Sequence, residues 1–373
     1  MPEPLPIFSV ARPRPLPRPL PRSLRRPGAP LPAPRRILVS RLRQIGDVIL
    51  TLPLIDALRE RYPDARIDYL AEEAPAQAAI GHPALERVIS FAPRRSFLPA
   101  PLSVLRALRE ARYDWTIDLY GNPRSAILLA WTGAPLRVGP ARRGRQRLYT
   151  HVVPPAEEPL SAIAHHFRSL ELLGIDAVPG APRITLTEEE RARGRRLLDQ
   201  ALPGDAPGSA RVGVHVGNRW PAKRWFAERY AGLIRALPGL GARGIVLGGP
   251  GEESLAAEVA ERSGSPSITG LPLRDYWSVV HALDVLVTND GSPLHAGPAL
   301  GVPTVGVLGP TVPEIWFPYR AEDGHQLLHR EIWCRPCHRH ECARLDCMKW
   351  IGVADAVQAV ARALEREAAR APA

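Results

Sequence analysis

The chain has 373 residues, and 45% of them are apolar. It can therefore build a sizeable core, and global disorder is excluded. The formal net charge of +11, from 49 Lys and Arg against 38 Asp and Glu, alone points to nucleic acid. Residues 1–36, however, hold eight arginines and one acid, Glu3, and so carry +7, whereas the rest of the chain carries only +4. The body is near balance, and a nucleic-acid partner is not expected.

Twelve of the 42 prolines lie in residues 1–34. Pro alternates there with Arg, Leu and Ala, which predicts an unpacked, polyproline-II-like leader over 1–35. It reads as a disordered leader, or alternatively as a segment attracted to anionic lipid head groups. It lacks the apolar run of a signal peptide. The longest stretch without Asp, Glu, Lys or Arg, Gly291 to Pro313, contains five Gly and five Pro and is no membrane helix. All four cysteines fall between 334 and 347, a local cluster and not a secreted disulfide framework. A cytoplasmic protein is expected.

Order begins at Arg36-Ile-Leu-Val-Ser-Arg41, an apolar run that predicts a buried strand. A loop, Leu42 to Gly46, leads to Asp47 at or near a helix N-cap, and an apolar helix runs from Val48 to Arg59. Strands are predicted at Arg66–Leu70, Val88–Phe91 and Trp115–Tyr120, with helices at Pro101–Arg112 and Arg124–Trp131. After a mixed segment from about Arg142 to Pro182, with a helix near Ala162–Leu173, comes a charged helix at Thr187–Leu198. The breaker-rich stretch Leu202 to Ser209 reads as a linker or surface loop. The rhythm then restarts, with strands at Arg211–Val216, Gly244–Leu247, Asp284–Thr288 and Thr304–Val307. Helices are predicted at Ala227–Leu237, Glu252–Arg262, Arg274–Ala282, Pro293–Leu300 and Val353–Ala368. The pattern is α/β: two Rossmann-like domains, 36–185 and 211–350, facing a central cleft. A linker region covers 186–210, and 351–373 forms a final helix that packs back on the first domain.

Candidate chemistry clusters where strands end. Arg41-Leu-Arg-Gln-Ile-Gly-Asp47 offers Asp47 as a general base, or as a plain helix cap, with Arg41 and Arg43 as anion-binding neighbours. His215 to Trp225 places Lys223 and Arg224 near a helix start, where phosphate is favoured. Only two lysines occur in the chain, Lys223 and Lys349, which marks Lys223 as one that arginine does not replace. Thr288 to His295 offers Asp290, Gly291, Ser292 and His295 around a helix N-terminus able to hold a diphosphate. Gly248-Gly-Pro-Gly-Glu-Glu253 puts Glu252 and Glu253 where ribose hydroxyls are bound, or where acids suit the helix dipole. Cys334, Cys337, Cys342 and Cys347 have a spacing that admits a structural zinc or iron–sulfur site, or simply reduced thiols. No G-x-x-x-x-G-K-[ST], G-x-G-x-x-G, D-x-D or G-x-S-x-G is present.

Taken together in order and spacing, Ile37 to Pro53, Asp118 to Ser125, Pro221 to Trp225, Asn289 to His295 and the Cys segment carry a resemblance. The chain resembles glycosyltransferase family 9, the ADP-heptose:lipopolysaccharide heptosyltransferases, from about Arg36 to the C-terminus. The resemblance implies a GT-B fold and inverting, metal-independent transfer with no cofactor required. It implies Asp47 as the base and Lys223 as the phosphate-binding lysine. Asp290, Gly291, Ser292 and His295 would form the donor loop, joined by Arg224, Glu252 and Glu253. Arg41, Arg43, Gln44 and Arg124 would contact an anionic glycolipid acceptor, with the protein in peripheral contact with the inner membrane surface. The donor loop here reads Asp-Gly-Ser-Pro-Leu-His, where the family often has Asp-Ser-Gly-Pro-Met-His. Two further readings remain at this level: a member using another nucleotide sugar for a different surface glycan, and a non-catalytic nucleotide-sugar-binding protein of the same fold.

Overall fold

The computed structural model describes residues 32–92, 99–204 and 209–370, with side chains up to Glu365. Most of the expected leader, residues 1–31, and positions 205–208 of the expected linker lie outside the described residues.

Six strands make a first parallel sheet: β1 (Arg36–Ser40), β2 (Arg66–Glu72), β3 (Arg87–Phe91), β4 (Trp115–Asp118), β5 (Leu136–Pro140) and β6 (His151–Val153). Their order is β3-β2-β1-β4-β5-β6. Six more make a second: β7 (Ala210–His215), β8 (Ala242–Leu247), β9 (Ser267–Ile268), β10 (Val285–Asn289), β11 (Thr304–Val307) and β12 (Gln326–Leu328). Their order is β12-β11-β10-β7-β8-β9, the same doubly wound topology repeated. Central strands are buried on both faces, which is why β1 and β10 carry the apolar runs Ile37-Leu38-Val39 and Val285-Leu286-Val287. The order reverses between β1 and β4 in one sheet, where Ile37 pairs with Trp115, and between β7 and β10 in the other, where Val212 pairs with Val285. Chains leaving neighbouring strands at such a point turn to opposite faces and open a crevice.

The β5 strand carries Gly139 and Pro140, which look like breakers in sequence. Gly139 is there for packing: a Cβ would sit 2.3 Å from the ring of Tyr149, whose hydroxyl donates to Asp118 Oδ2 at 2.6 Å. Burial raises the Asp118 carboxyl, which is held by the N–H groups of Gly121 and Tyr120 and by Tyr149. Asp118 thus shapes the loop beyond β4.

Within 186–210, residues Glu188–Ala201 form a helix begun by a reciprocal cap between Thr187 and Glu190. It packs tightly on the Leu273–His281 helix, where Gly194 lies against the Ser278 backbone. Arg274 ties this region together, bonding Glu190 at 2.6 Å and the carbonyl of Gln77 at 3.1 Å.

The final helix, Val353–Arg370, departs from expectation. Its apolar face, Ala356, Ala359, Val360 and Ala363, belongs to the core of the second sheet with Val212, Val214, Trp225 and Tyr230. Among the described side chains, this face packs on the second sheet.

Candidate active site

Two short helices meet where the switch points of the sheets face each other. Ile45–Ile49 follows β1, and Ser292–Ala299 follows β10. Gly46 lies against the ring of His295, so that a Cβ at 46 would come within 2.7 Å of Cδ2. Gln44 adds a second link, its Oε1 accepting from Arg219 Nη2 at 2.8 Å.

Asp47 lies near the helix N-cap, as expected, but is not the cap itself. The helix starts earlier, Gln44 caps it, and Asp47 closes a capping box from the first turn. Its Oδ2 accepts the Gln44 N–H at 3.1 Å and pairs with Arg41 Nη2 at 2.9 Å. Both contacts use one oxygen and leave Oδ1. Arg41 is further fixed by the Leu119 carbonyl at 2.8 Å and by the ring of Tyr120 at 4.6 Å. Arg43 does not join it. Its Nε bonds Glu72 Oε2 at 2.7 Å, and Arg124 reaches Oε1 of the same carboxylate at 3.3 Å. The hydrogen bond to Glu72 holds the Arg43 guanidinium above its usual range.

In the second half, Lys223 Nζ lies 2.7 Å from Asp290 Oδ2 and 4.4 Å from the Trp220 ring. Both charges are nearly buried, and Thr311 also donates to Asp290 Oδ2. Arg224 Nε donates to the Asn218 carbonyl at 2.6 Å, and Asn218 Nδ2 to the Asp290 carbonyl at 2.7 Å. Gly291 is the N-cap of the Ser292–Ala299 helix, with Ser292 half-buried in its first turn. Asn289 ties the loops together: Oδ1 accepts from Tyr230 Oη and the Trp225 N–H, and Nδ2 donates to the carbonyls of Val216 and Gly217.

Glu252 and Glu253 separate in space. Glu253 is exposed and accepts the Gly251 N–H at 3.0 Å. Glu252 folds back over the end of β7, where Gly217 makes room for its carboxyl. Its Oε2 accepts the Gly249 N–H at 2.7 Å and lies 3.2 Å from His215 Nε2. Burial pushes the Glu252 carboxyl up, but His215, the Gly249 N–H and Arg224 outweigh it and leave it below the ordinary value.

The ring of His295 is buried and bonds Tyr319 Oη through Nδ1 at 2.9 Å. Burial lowers its pKa to about 4; Asp290 and Asp47 oppose that shift, and Lys223 adds to it. The acid of one half and the ion pair of the other therefore act on the same neutral ring.

The cysteine segment has a different place from the one its spacing invites. Among the described residues, no group of three or more His, Cys, Asp or Glu side chains is placed to hold a metal ion, so the structure lends no support to the expected zinc or iron–sulfur site. Cys347 belongs to the second core, where burial, then Cys337, Cys334 and Cys342, raises its thiol. Cys342 Sγ accepts the Leu345 N–H at 3.5 Å. The backbone of the segment instead clasps the loops above. The N–H groups of Cys337 and His338 bond the Pro310 carbonyl, and the Ala222 N–H bonds the His340 carbonyl. His340 stacks on Trp220 with centroids 3.8 Å apart. Glu72, Trp220, His340 and Thr311 were thus missed from sequence. The only hint was an acid at the end of β2 and aromatics beside the lone lysine of the loop.

The family model of glycosyltransferase family 9 (heptosyltransferase) matches residues 102–348. Lipopolysaccharide heptosyltransferase 1 of Escherichia coli K12 is 30% identical over 302 residues, covering 74% of this chain and 89% of that protein. Among solved structures, a family 9 glycosyltransferase from Veillonella parvula matches with a TM-score of 0.71 and 26% identity, covering 79% of this chain and 85% of that one. The E. coli ADP-heptose LPS heptosyltransferase II matches with a TM-score of 0.73 and 22% identity, covering 89% and 99%. The two parallel α/β sheets are thus arranged in the GT-B fold.

Two outcomes follow. Because His295 is neutral with a pKa near 4 in the folded chain and near 6.5 unfolded, its stabilising contribution is complete above pH 6.5 and falls as the pH drops toward 4. Urea titrations across that window should lose up to about 3 kcal/mol, and His295→Gln should flatten this part of the profile. A variant with an unchanged profile would refute the assignment. Gly46→Ala should cost about 1–3 kcal/mol by overpacking the His295 ring. In the double variant Gly46→Ala/His295→Ala the two losses should not add. Strict additivity would show that the contact is unimportant.

Proposed function

The chain belongs to glycosyltransferase family 9, the heptosyltransferases, and from that premise we propose that it moves a heptose from ADP-heptose to a lipopolysaccharide core acceptor, with inversion and without a metal. The observation that carries this reading is the meeting at His295 of Asp47 from the first half with Lys223 and Asp290 from the second. Asp47 Oδ1 takes the proton of the acceptor hydroxyl. The oxygen attacks the anomeric carbon from the face opposite the diphosphate. The bond from that carbon to the diphosphate oxygen breaks, and ADP departs with the electron pair. Arg41 orients Asp47 through Oδ2.

Lys223 balances charge on the departing diphosphate, the task a metal performs in transferases that bear D-x-D. Asp290, Thr311 and Trp220 hold its ammonium ready. Arg224, Ser292 and the Gly291 backbone line the phosphate side, and Glu252 Oε1 faces the ribose hydroxyls. Glu253 is a helix acid at the edge of this group. Arg43, Gln44 and Arg124 receive the anionic acceptor.

No helix among the described residues is long and apolar enough to cross a membrane. We place the enzyme in the cytoplasm, in peripheral contact with the inner membrane. Leu102, Ile127 and Trp131, exposed on two packed helices of the first half, support such a contact.

The test supplies ADP-heptose, ADP-glucose or UDP-glucose with heptose-deficient lipopolysaccharide and measures nucleotide release and product anomer. ADP release from ADP-heptose alone, insensitive to EDTA and with inverted configuration, is expected. Preferential UDP release would replace the donor assignment. Lys223→Ala should weaken ADP-heptose binding by about 10–100-fold in calorimetry, as expected for a charge-assisted phosphate contact. Unchanged affinity would remove Lys223 from the donor site.

A further inference from the structure

We propose that Glu72 is a positioning residue that presents Arg43 and Arg124 to a carboxylate or phosphate of the acceptor, an inference that rests on the acceptor reading above. Three neighbouring strands bring the three residues together. In the order β2-β1-β4, Glu72 ends β2, Arg43 lies in the loop after β1, and Arg124 starts the helix Pro123–Trp131 after β4. The Glu72 N–H bonds the Leu42 carbonyl at 3.1 Å, so its backbone is locked to the β1 loop.

The Glu72 side chain is 7% exposed, and it divides its two oxygens between two cations. Oε2 takes Arg43 Nε at 2.7 Å, and Oε1 takes Arg124 Nη1 at 3.3 Å. A buried carboxylate needs a partner, and one arginine satisfies that need. Here two arginines share the one carboxylate. Arg43 bonds Glu72 through Nε, its side chain is 43% exposed, and its Nη1–Nη2 edge remains for a further partner. That is the forked edge suited to a bidentate oxyanion. Asp47 follows four residues later, in the first turn of the next helix.

Without the Glu72 charge, the two guanidiniums repel each other and lose their common orientation. The experiment compares wild type, Glu72→Gln and Glu72→Asp with three acceptors: heptose-deficient lipopolysaccharide, the same material carboxyl-reduced, and the same material dephosphorylated. With the native acceptor, Glu72→Gln should raise the acceptor KM about tenfold, within the range for a lost charged hydrogen bond, and leave ADP affinity within about twofold. Glu72→Asp, which keeps the charge, should recover part of that loss. The penalty should vanish on the carboxyl-reduced acceptor if a carboxylate is recognised, and on the dephosphorylated acceptor if a phosphate is. An equal penalty on all three acceptors, or loss of ADP affinity in step with acceptor affinity, would reduce Glu72 to a structural pin. An unchanged acceptor KM would also overturn the proposal. Failure of the wild type to glycosylate any acceptor would instead defeat the transferase reading on which it rests.

Discussion

The contact between the Gly46 backbone and the His295 ring is the constraint on which the site depends. It joins the helix after β1 to the helix after β10, the two places where parallel sheets open crevices. No side chain at 46 is compatible with that approach. The ring itself is fixed by Tyr319 and kept neutral by burial, so the contact is uncharged. Asp47 follows Gly46 directly, and Asp290 and Lys223 lie beside His295. The separation of Asp47 from the Lys223–Asp290 pair is therefore set by an apolar contact and not by the charges themselves.

The charges around that contact are paired within their own halves. Asp47 pairs with Arg41, Lys223 with Asp290, and Glu72 with Arg43 and Arg124. Pairing limits the cost of placing ions at a partly desolvated cleft. It also pre-orients each group, so little reorganisation is needed when substrate charge arrives. The crossing points are Gly46 against the neutral His295 ring and the Arg219 guanidinium donating to the Gln44 amide, and among the described residues no ion pair joins the two halves at this place.

Much of this was legible in the sequence for a physical reason. Central parallel strands are short apolar runs, and the residues just beyond them must turn, so Gly46, Asp47, Gly291 and Pro293 announce both the turn and the site. Of the four edge strands, β3 was legible at Val88–Phe91 and the other three were not. Ser267–Ile268, Gln326–Leu328 and His151–Val153 are two or three residues long and pair on one side only, too short for a periodic signal. Asp47 reads near the cap and lies in the first turn, whereas Gln44 as the cap itself was not legible because glutamine is an uncommon cap residue. Glu72, the Trp220–His340 stack and the docking of the final helix depend on contacts between residues far apart in the chain. Nothing in local pattern reports them. The cysteine spacing invited a metal, whereas the described geometry uses the segment as a clasp over Lys223 and Asp290.

Turnover of Asp47→Asn, set beside its affinity for ADP-heptose, tests the account most directly. The substitution keeps the size of the side chain and removes its capacity to accept a proton at neutral pH. The account predicts that ADP release with heptose-deficient lipopolysaccharide falls by about 10²–10⁴-fold, the usual loss of a general base, while the donor dissociation constant stays within about twofold. Turnover within tenfold of the wild type would contradict it, because the proton would then have another destination than Asp47.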